Sequence, residues 1–386
     1  LSTMSTERAI HSASHIKCKM LIDQLAATVE SKWQTNHLLS SFRQAGKSVF
    51  TVCLLFSVAL LSSSCSDKAN AVDVIAIAPP AETLPVADGD DAADDAVILA
   101  AALPAMPLII GTNKRRGLVA YTLDGDKLTQ VDRGRLNNVD ATKGYTPYQF
   151  RLAASNRTYN TIDIFNADLV AQTLTFDREI SLTLAEPYGL CVASDAIYVG
   201  DKDGRVEAWS WDGELIASWQ FASQTEGCVV DSKTRSLYVG EEAQGIWRVD
   251  LASDQRTLVA ATDNRWLTAD VEGLDIYDDG DNRYLLASSQ GDSTYVAYSI
   301  KGDSVSAPRL KFRITDDPSQ GLDGTADTDG IAIFAGALPG FPTGLLVVQD
   351  GFNQGVNGEP QNQNFKLVDW QSIESAMNNA VTKPSS

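Results

Sequence analysis

Beyond residue 94 the chain is a succession of short apolar runs separated by Gly, Asp, Asn and Ser, and a helix-like pattern comes only at the end, over Val368 to Ala380. Runs of about four to eight residues bounded by turn formers predict strands, and so an all-β domain. The runs also correspond to one another. L-I-I-G-T-N (108–113), L-A-A-S-N (152–156), I-Y-V-G-D (197–201), L-Y-V-G-E (237–241), L-L-A-S-S-Q (285–290) and L-L-V-V-Q-D (345–350) each end in a small or polar turn. Most lead into an aromatic-containing strand and a hairpin, as in V-E-A-W-S-W-D-G-E and Y-V-A-Y-S-I-K-G-D. Six such units, spaced by about 40 to 60 residues, predict a six-bladed β-propeller around a central channel. A β-sandwich would account for short strands but not for the recurring unit.

An acidic or glycine-bearing corner precedes each unit: D-D-A-V-I-L (94–99), N-N-V-D (137–140), E-P-Y-G-L (186–190), Q-T-E-G (224–227), D-V-E-G-L (270–274) and D-T-D-G-I (327–331). Rotation about one axis would bring Asp94, Asp95, Asp140, Glu186, Glu226, Asp270, Glu272 and Asp329 toward one mouth of the channel. So many carboxylates stay charged side by side only if cations neutralise them. The stretch D-G-T-A-D-T-D-G (323–330) offers hard oxygen ligands of the kind calcium takes, although it is no EF-hand: that template would put Thr325 at its first ligand position and Gly336 where the bidentate Glu belongs. Basic residues interrupt the acidic set at Lys114-Arg115-Arg116, Arg157 and Lys202, at equivalent turns of successive blades. Cations facing cation-binding acids make a receptor for a highly charged anion, with phosphate the obvious candidate.

Composition narrows the chemistry. A net charge of -19 from 31 basic and 50 acidic residues argues against a nucleic-acid partner, and a polyanionic substrate would need metal to be admitted. The run Val49 to Leu61, after Arg43 and Lys47 and before S-S-S-C-S-D, predicts a secretory signal too short to span a bilayer. Cys65 resembles a lipoprotein cleavage site, and lipidation there and simple cleavage nearby both stay open. The expected protein is exported, periplasmic, outer-membrane-anchored or extracellular, with residues 1–65 as extension and signal, 66–80 as linker and 81–381 as propeller. It meets a membrane only through such a lipid and is expected to be a monomer. His11, His15 and His37 all precede the apolar run, so the exported part carries no imidazole. That excludes a Ser-His-Asp triad, a His-ligated zinc and a phosphohistidine. Cys191 and Cys228 read as buried core residues, with a disulfide as the alternative.

The combination of T-N-K-R-R-G-L (112–118), L-N-N-V-D (136–140), A-S-N-R (154–157), S-Q-T-E-G (223–227), L-Y-V-G-E-E (237–242), D-V-E-G-L (270–274), Y-L-L-A-S-S-Q-G (284–291), D-G-T-A-D-T-D-G-I (323–331) and N-Q-N-F-K (362–366) resembles the β-propeller phytases. These are calcium-dependent bacterial enzymes that hydrolyse inositol hexakisphosphate. The resemblance spans about Ala81 to Trp370 and implies several Ca²⁺ ions and two neighbouring phosphate sites. It implies that Arg115, Arg157, Tyr188 and Lys202 contact substrate phosphates, while Asp203, Glu226, Glu242, Glu272, Asp323 and Asp329 hold or orient calcium and water. By the same resemblance Glu82, Asp95, Asn138, Asp140, Glu241, Asp270, Gln290 and Asp350 fall in other calcium-bearing motifs. Ala96 and Leu99 depart from the family's first blade, Asp203 stands where Glu is common, and Arg115 where Lys is common. The implied reaction is in-line attack of a calcium-activated water on phosphorus, with no covalent enzyme intermediate. Two rivals are a calcium-dependent lactonase-like propeller and a propeller that only binds.

Overall fold

The computed structural model describes residues 72–382, so the signal segment, Cys65 and the first part of the linker lie outside the described residues. Six four-stranded antiparallel units follow the predicted repeat, and each starts at the axis and works outward. Their innermost strands are Ala93–Leu99, Leu136–Lys143, Pro187–Val192, Thr225–Asp231, Val271–Asp278 and Ile331–Phe334. Each packs against the next, and the sixth returns to the first, so the ring is closed. The fold is a six-bladed β-propeller, with blades numbered 1 to 6 in that order. Among the described residues no helix is long and apolar enough to cross a membrane.

The apolar runs are continuous because each blade is buried on both faces. Alternate residues of a strand point opposite ways, so in blade 1 Ile109 packs toward blade 6 against Val347 and Phe365, while Leu108 and Ile110 pack toward blade 2 against Leu152 and Phe165. Six hydrophobic clusters result, each filling the wedge between two neighbouring blades. Blades 3 and 4 are also joined by a disulfide between Cys191 and Cys228, so these two cysteines, 37 residues apart, are not merely core residues.

The ring is locked by the amino-terminal segment. Ala81–Glu82 pairs with Asn364–Asp369 as the outermost strand of blade 6, joining the start of the propeller to its end. Val74–Ile77 runs parallel to the last strand of blade 5 and gives that blade a fifth strand, so the tether expected over 66–80 does not reach residue 80. The closing helix, α1 (Trp370–Thr382), seals this seam. Asp369 accepts a hydrogen bond from the Gln371 amide (3.2 Å), and Trp370 stacks on Tyr277 with ring centroids 3.9 Å apart.

Lys366 holds the closure electrostatically. Its side chain is fully buried, and its ammonium pairs with Glu82 and Asp323, lies 3.3 Å from Asp350 and donates to Asn353 Oδ1 at 3.1 Å. Removing the ammonium would leave three carboxylates facing one another in a buried space. Lys366→Met is therefore expected to lower the unfolding free energy by about 3–5 kcal/mol, read from urea denaturation in EGTA. An unchanged midpoint would show that the seam holds without it.

Candidate active site

Two positions in every blade build the mouth, and local backbone geometry selects both. In blades 1 to 5 the innermost strand slips register near its start, for instance between Thr225↔Glu241 and Cys228↔Val239. A bulge of this kind re-aims side chains out of the ladder. The first freed residue is Asp94, Asn137, Tyr188, Glu226 or Glu272, and Asp329 stands just before the blade 6 strand. In blades 3 to 6 the next residue is glycine. A Cβ at Gly189 would fall 1.7 Å from the Glu226 carbonyl, and one at Gly227 would fall 2.1 Å from that of Glu272. Only glycine lets neighbouring blades approach so closely.

The second position is the residue after each blade's second strand. Those strands end at Asn113, Asn156, Asp201, Glu241, Ser289 and Asp350, so Lys114, Arg157, Lys202, Glu242, Gln290 and Gly351 come next. The strand-ending residue is a turn former. Asn113, Asn156, Asp201 and Asp350 each accept the amide two residues on, at 3.1, 2.8, 2.9 and 3.2 Å. Blades 1 to 3 thus present cations at this level, and blade 4 presents an acid.

Of these, Asp94, Lys114, Tyr188, Glu226, Glu242, Glu272, Gln290 and Asp329 converge on a cavity of about 260 Å³. Lys114 Nζ lies 2.8 Å from Asp94 and 3.3 Å from Asp329, and it also pairs with Asp91. Asn137 Nδ2 donates to Asp94 at 3.0 Å and to Glu226 at 2.8 Å, linking the two across the mouth. Gln290 donates to Asp329 at 2.6 Å, and Gln224 donates to Glu242. Among the described residues no lysine or arginine ion-pairs with Glu226, Glu242 or Glu272. Glu226, Glu242 and Glu272 each offer an oxygen, all within 4.8 Å of one another, and Glu272 Oε2 is buried without a hydrogen-bond partner. Hard oxygens gathered in this way could hold a metal ion.

On the adjoining side Tyr188 is flanked by cations. Arg157 Cζ lies 5.4 Å and Lys202 Nζ 4.6 Å from its ring centroid. Its backbone carbonyl accepts from Ser155 Oγ, whose oxygen in turn accepts from the Asn138 amide. Burial, reinforced by Glu226, Asp94 and Glu272, pushes the phenol well above its ordinary range, so Tyr188 remains a neutral hydrogen-bond donor.

The sequence profile of the family described as Phytase matches residues 47–383. The chain is also 37% identical over 327 residues to a protein of Bacillus subtilis (strain 168) named 3-phytase, an alignment covering 76% of this chain and 83% of that protein. The chain belongs to the phytase family. It is a phytase-type hydrolase acting on phosphomonoesters, which sets aside the lactonase-like and binding-only alternatives. Among solved structures, a chain of a mitotic checkpoint complex aligns with a TM-score of 0.44 and 12% identity, over 70% of this chain and 73% of that one, a likeness too distant to bear on function.

In this phytase the residues expected from sequence separate into three places. Tyr188, Glu226, Glu242, Asp270, Glu272, Gln290 and Asp329 line the mouth, with Arg157 and Lys202 beside Tyr188. Asp95, Asn138 and Asp140 instead line the channel behind it, together with Asp275, which sequence reasoning missed. There each carboxylate spans to the next blade: Asp95 accepts the Val139 amide at 3.1 Å, Asp140 that of Val192 at 2.7 Å, and Asp275 that of Ile333 at 2.5 Å. Burial pushes Asp140 up to about 6 and Asp275 up to about 7. Glu82, Asp323 and Asp350 form the third group, around Lys366.

Three expected residues lie outside the lining of the mouth. Glu241 is a blade 4 brace: its oxygens accept from the Ser223 amide and hydroxyl at 2.8 and 3.0 Å and from Trp247 Nε1 at 2.7 Å. Arg115 is half exposed at the rim, meeting Asp90 at 3.5 Å and donating to the Asp91 carbonyl at 3.4 Å, because the strand-following position belongs to Lys114. Asp203 is exposed, one residue past the position that Lys202 fills. Lys114, Asn137 and Gln224 at the mouth were not among the expected ligands. Counting one residue from each strand end, or aligning L-N-N-V with T-E-G-C, would have found the first two.

Burial and neighbouring carboxylates hold Glu226, Glu272 and Asp329 well above the usual acid range, and burial pushes Glu242 up to about 7. An acid with a raised folded pKa favours the fold while protonated, so its contribution is full below the unfolded value and fades as pH rises through the folded one. Acids with depressed values, such as Asp231 and Asp292, lose their contribution only as pH falls below the ordinary value of 3.8. In EGTA the Tm should therefore fall between pH 5 and 8, and excess Ca²⁺ should raise it more at pH 8 than at pH 5. A flat profile in EGTA would contradict this account of the mouth.

Proposed function

We propose that this enzyme hydrolyses phytate, myo-inositol hexakisphosphate, taken as its calcium complex, and releases inorganic phosphate and lower inositol phosphates. The observation that carries the reading is the juxtaposition at one mouth of three carboxylates within 4.8 Å of one another and two cations flanking Tyr188. A phosphate ester with a phosphate beside it suits both halves. The Bacillus subtilis relative's name, 3-phytase, points to the same substrate.

Glu226, Glu242 and Glu272 would hold Ca²⁺, with Asp270 and Asp329 at the same mouth. Calcium bound there would screen the substrate's charge and supply the Lewis acidity that makes a water nucleophilic near neutral pH. The protein's own groups do the rest. The neutral Tyr188 hydroxyl donates to an oxygen of the reacting phosphate, and Lys114, already paired with Asp91, Asp94 and Asp329, adds positive charge nearby, stabilising charge that builds there. Asn137 and Gln290 hold Asp94, Glu226 and Asp329 in place through their amides. Arg157 offers a two-pronged donor and Lys202 a point charge to the neighbouring phosphate, so the ester is positioned before it reacts. The reading takes direct attack by water as the route, with no histidine or free cysteine serving as nucleophile. Every histidine precedes residue 38, and Cys191 and Cys228 are consumed in a disulfide. The reading includes export through the segment ending near Cys65, by lipidation or simple cleavage, and action as a monomer.

Phosphate release from calcium phytate, set beside release from p-nitrophenyl phosphate, tests the substrate. Phytate should be strongly preferred, and EGTA should abolish turnover; full activity in metal-free buffer would refute the metal requirement. Arg157→Ala is expected to reduce kcat/KM for phytate about a hundredfold while calcium-dependent thermal stability stays near wild type. Unchanged kinetics would remove Arg157 from the site.

A further inference from the structure

The two cations beside Tyr188 have a shared internal partner. Glu186, two residues before Tyr188, places a single oxygen, Oε1, 3.3 Å from Lys202 Nζ and 3.6 Å from Arg157 Nη1. Neither distance describes a full-strength contact, since a bidentate guanidinium–carboxylate pair closes to about 2.7–2.9 Å. The guanidinium is also under-used. Arg157 Nε is buried with no hydrogen-bond partner, although the side chain is only 12% exposed. A largely buried arginine left with an idle donor and a distant counter-ion is poised to take a better acceptor. Arg283 and Arg133 are by contrast fully paired: Arg283 holds Asp231 at 2.6 Å and Asp278 at 2.8 Å, and Arg133 holds Asp163 at 2.9 Å and Glu179 at 2.7 Å, whereas Arg309 Nε, like that of Arg157, is buried without a partner.

We propose that Glu186 is a displaceable internal anion: it occupies the Arg157–Lys202 subsite until a substrate phosphate takes its place, and so limits how tightly substrates carrying more than one phosphate bind. This rests on the reading that Arg157 and Lys202 receive the phosphate next to the reacting one. One oxygen of Glu186 already sits between both cations, where a tetrahedral phosphate would present several oxygens and up to twice the charge. An inositol ring carrying a second phosphate displaces the carboxylate, and a simple monoester has nothing to displace it with. Without Glu186 the two cations would repel each other across the Tyr188 ring and attract any small anion. With it, the pair stays aligned and its affinity for anions is held down. Glu186 is accordingly a positioning residue that tempers the subsite, and takes no part in the chemistry at phosphorus.

The test compares wild type with Glu186→Gln, Arg157→Ala and Lys202→Ala at saturating calcium. Removing one charge that pairs loosely with two cations is expected to lower KM for calcium phytate about three- to tenfold. Calorimetric titration should show tighter binding of inorganic phosphate by a similar factor, with Tm close to wild type. The preference for phytate over p-nitrophenyl phosphate should rise, and Glu186→Asp, which restores the charge, should bring KM back toward wild type. If Glu186→Gln leaves phosphate affinity and KM unchanged or weakens them, while Arg157→Ala and Lys202→Ala raise KM, the role of Glu186 is overturned and the subsite stands. If neither cation variant changes KM, the subsite itself is wrong and this inference falls with it.

Discussion

The structure depends on repulsion between like charges that the fold itself brings together. Glu226, Glu242 and Glu272 offer oxygens within 4.8 Å of one another, in a mouth to which Asp94, Asp270 and Asp329 also belong. At the effective dielectric of a partly buried site, two unit charges about 4 Å apart interact by on the order of 4 kcal/mol. Three such pairs approach the whole stability of an ordinary domain, about 5–15 kcal/mol. The fold cannot carry the cluster fully ionised unless a cation is present, and it resists by keeping protons on it. The cause is positional: five strand bulges and Asp329, two residues before the sixth innermost strand, place one side chain per blade around a common axis, and four glycines let the blades close on them.

Much of this was legible in the sequence, for physical reasons. Strands buried on both faces leave unbroken apolar runs, so the blades were countable. The recurring E-G and D-G pairs record both the side chain that must point inward and the backbone that must pass close by, so Glu226, Glu272 and Asp329 were readable as equivalents. What failed was resolution at single residues. Glu241 and Glu242 are adjacent acids, but one ends a strand and is used up by Ser223 and Trp247 while the other begins the turn and faces the mouth. Lys114 and Arg115 differ in the same way, as do Asn137 and Asn138. Which neighbour faces inward depends on where a bulge slips the register, and residue types alone do not fix that. The ring-closing strand Ala81–Glu82 is too short to show any period, and the cysteine pairing needs the knowledge that blades 3 and 4 touch.

The acids of this protein differ chiefly in who balances them. Around Lys366 the counter-charge is internal: one fully buried ammonium is shared by Glu82, Asp323 and Asp350, with the Asn353 amide oxygen beside it, and ties the seam of the propeller together. Behind the mouth, Asp95, Asp140 and Asp275 are held by amides of the neighbouring blade and act as ties between innermost strands. At the mouth Lys114 balances Asp91, Asp94 and Asp329 only in part, and nothing comparable reaches Glu272. A run of acidic motifs in sequence therefore mixes braces, ties and ligands. Their counter-charges tell them apart, and those counter-charges come from other blades.

The cationic side of the mouth obeys the same rule with the signs exchanged. Arg133 and Arg283 have complete partners and serve the scaffold, whereas Arg157 keeps a buried donor idle and shares with Lys202 one distant carboxylate oxygen. A site short of cations on one side and short of anions on the other suits a visitor that brings both. On the proposed reading, a phosphate ester that carries its own divalent cations would satisfy both deficits in one binding event, while a neutral substrate would satisfy neither. Complementarity to charge, more than to the shape of any single phosphate, would then govern what this mouth accepts.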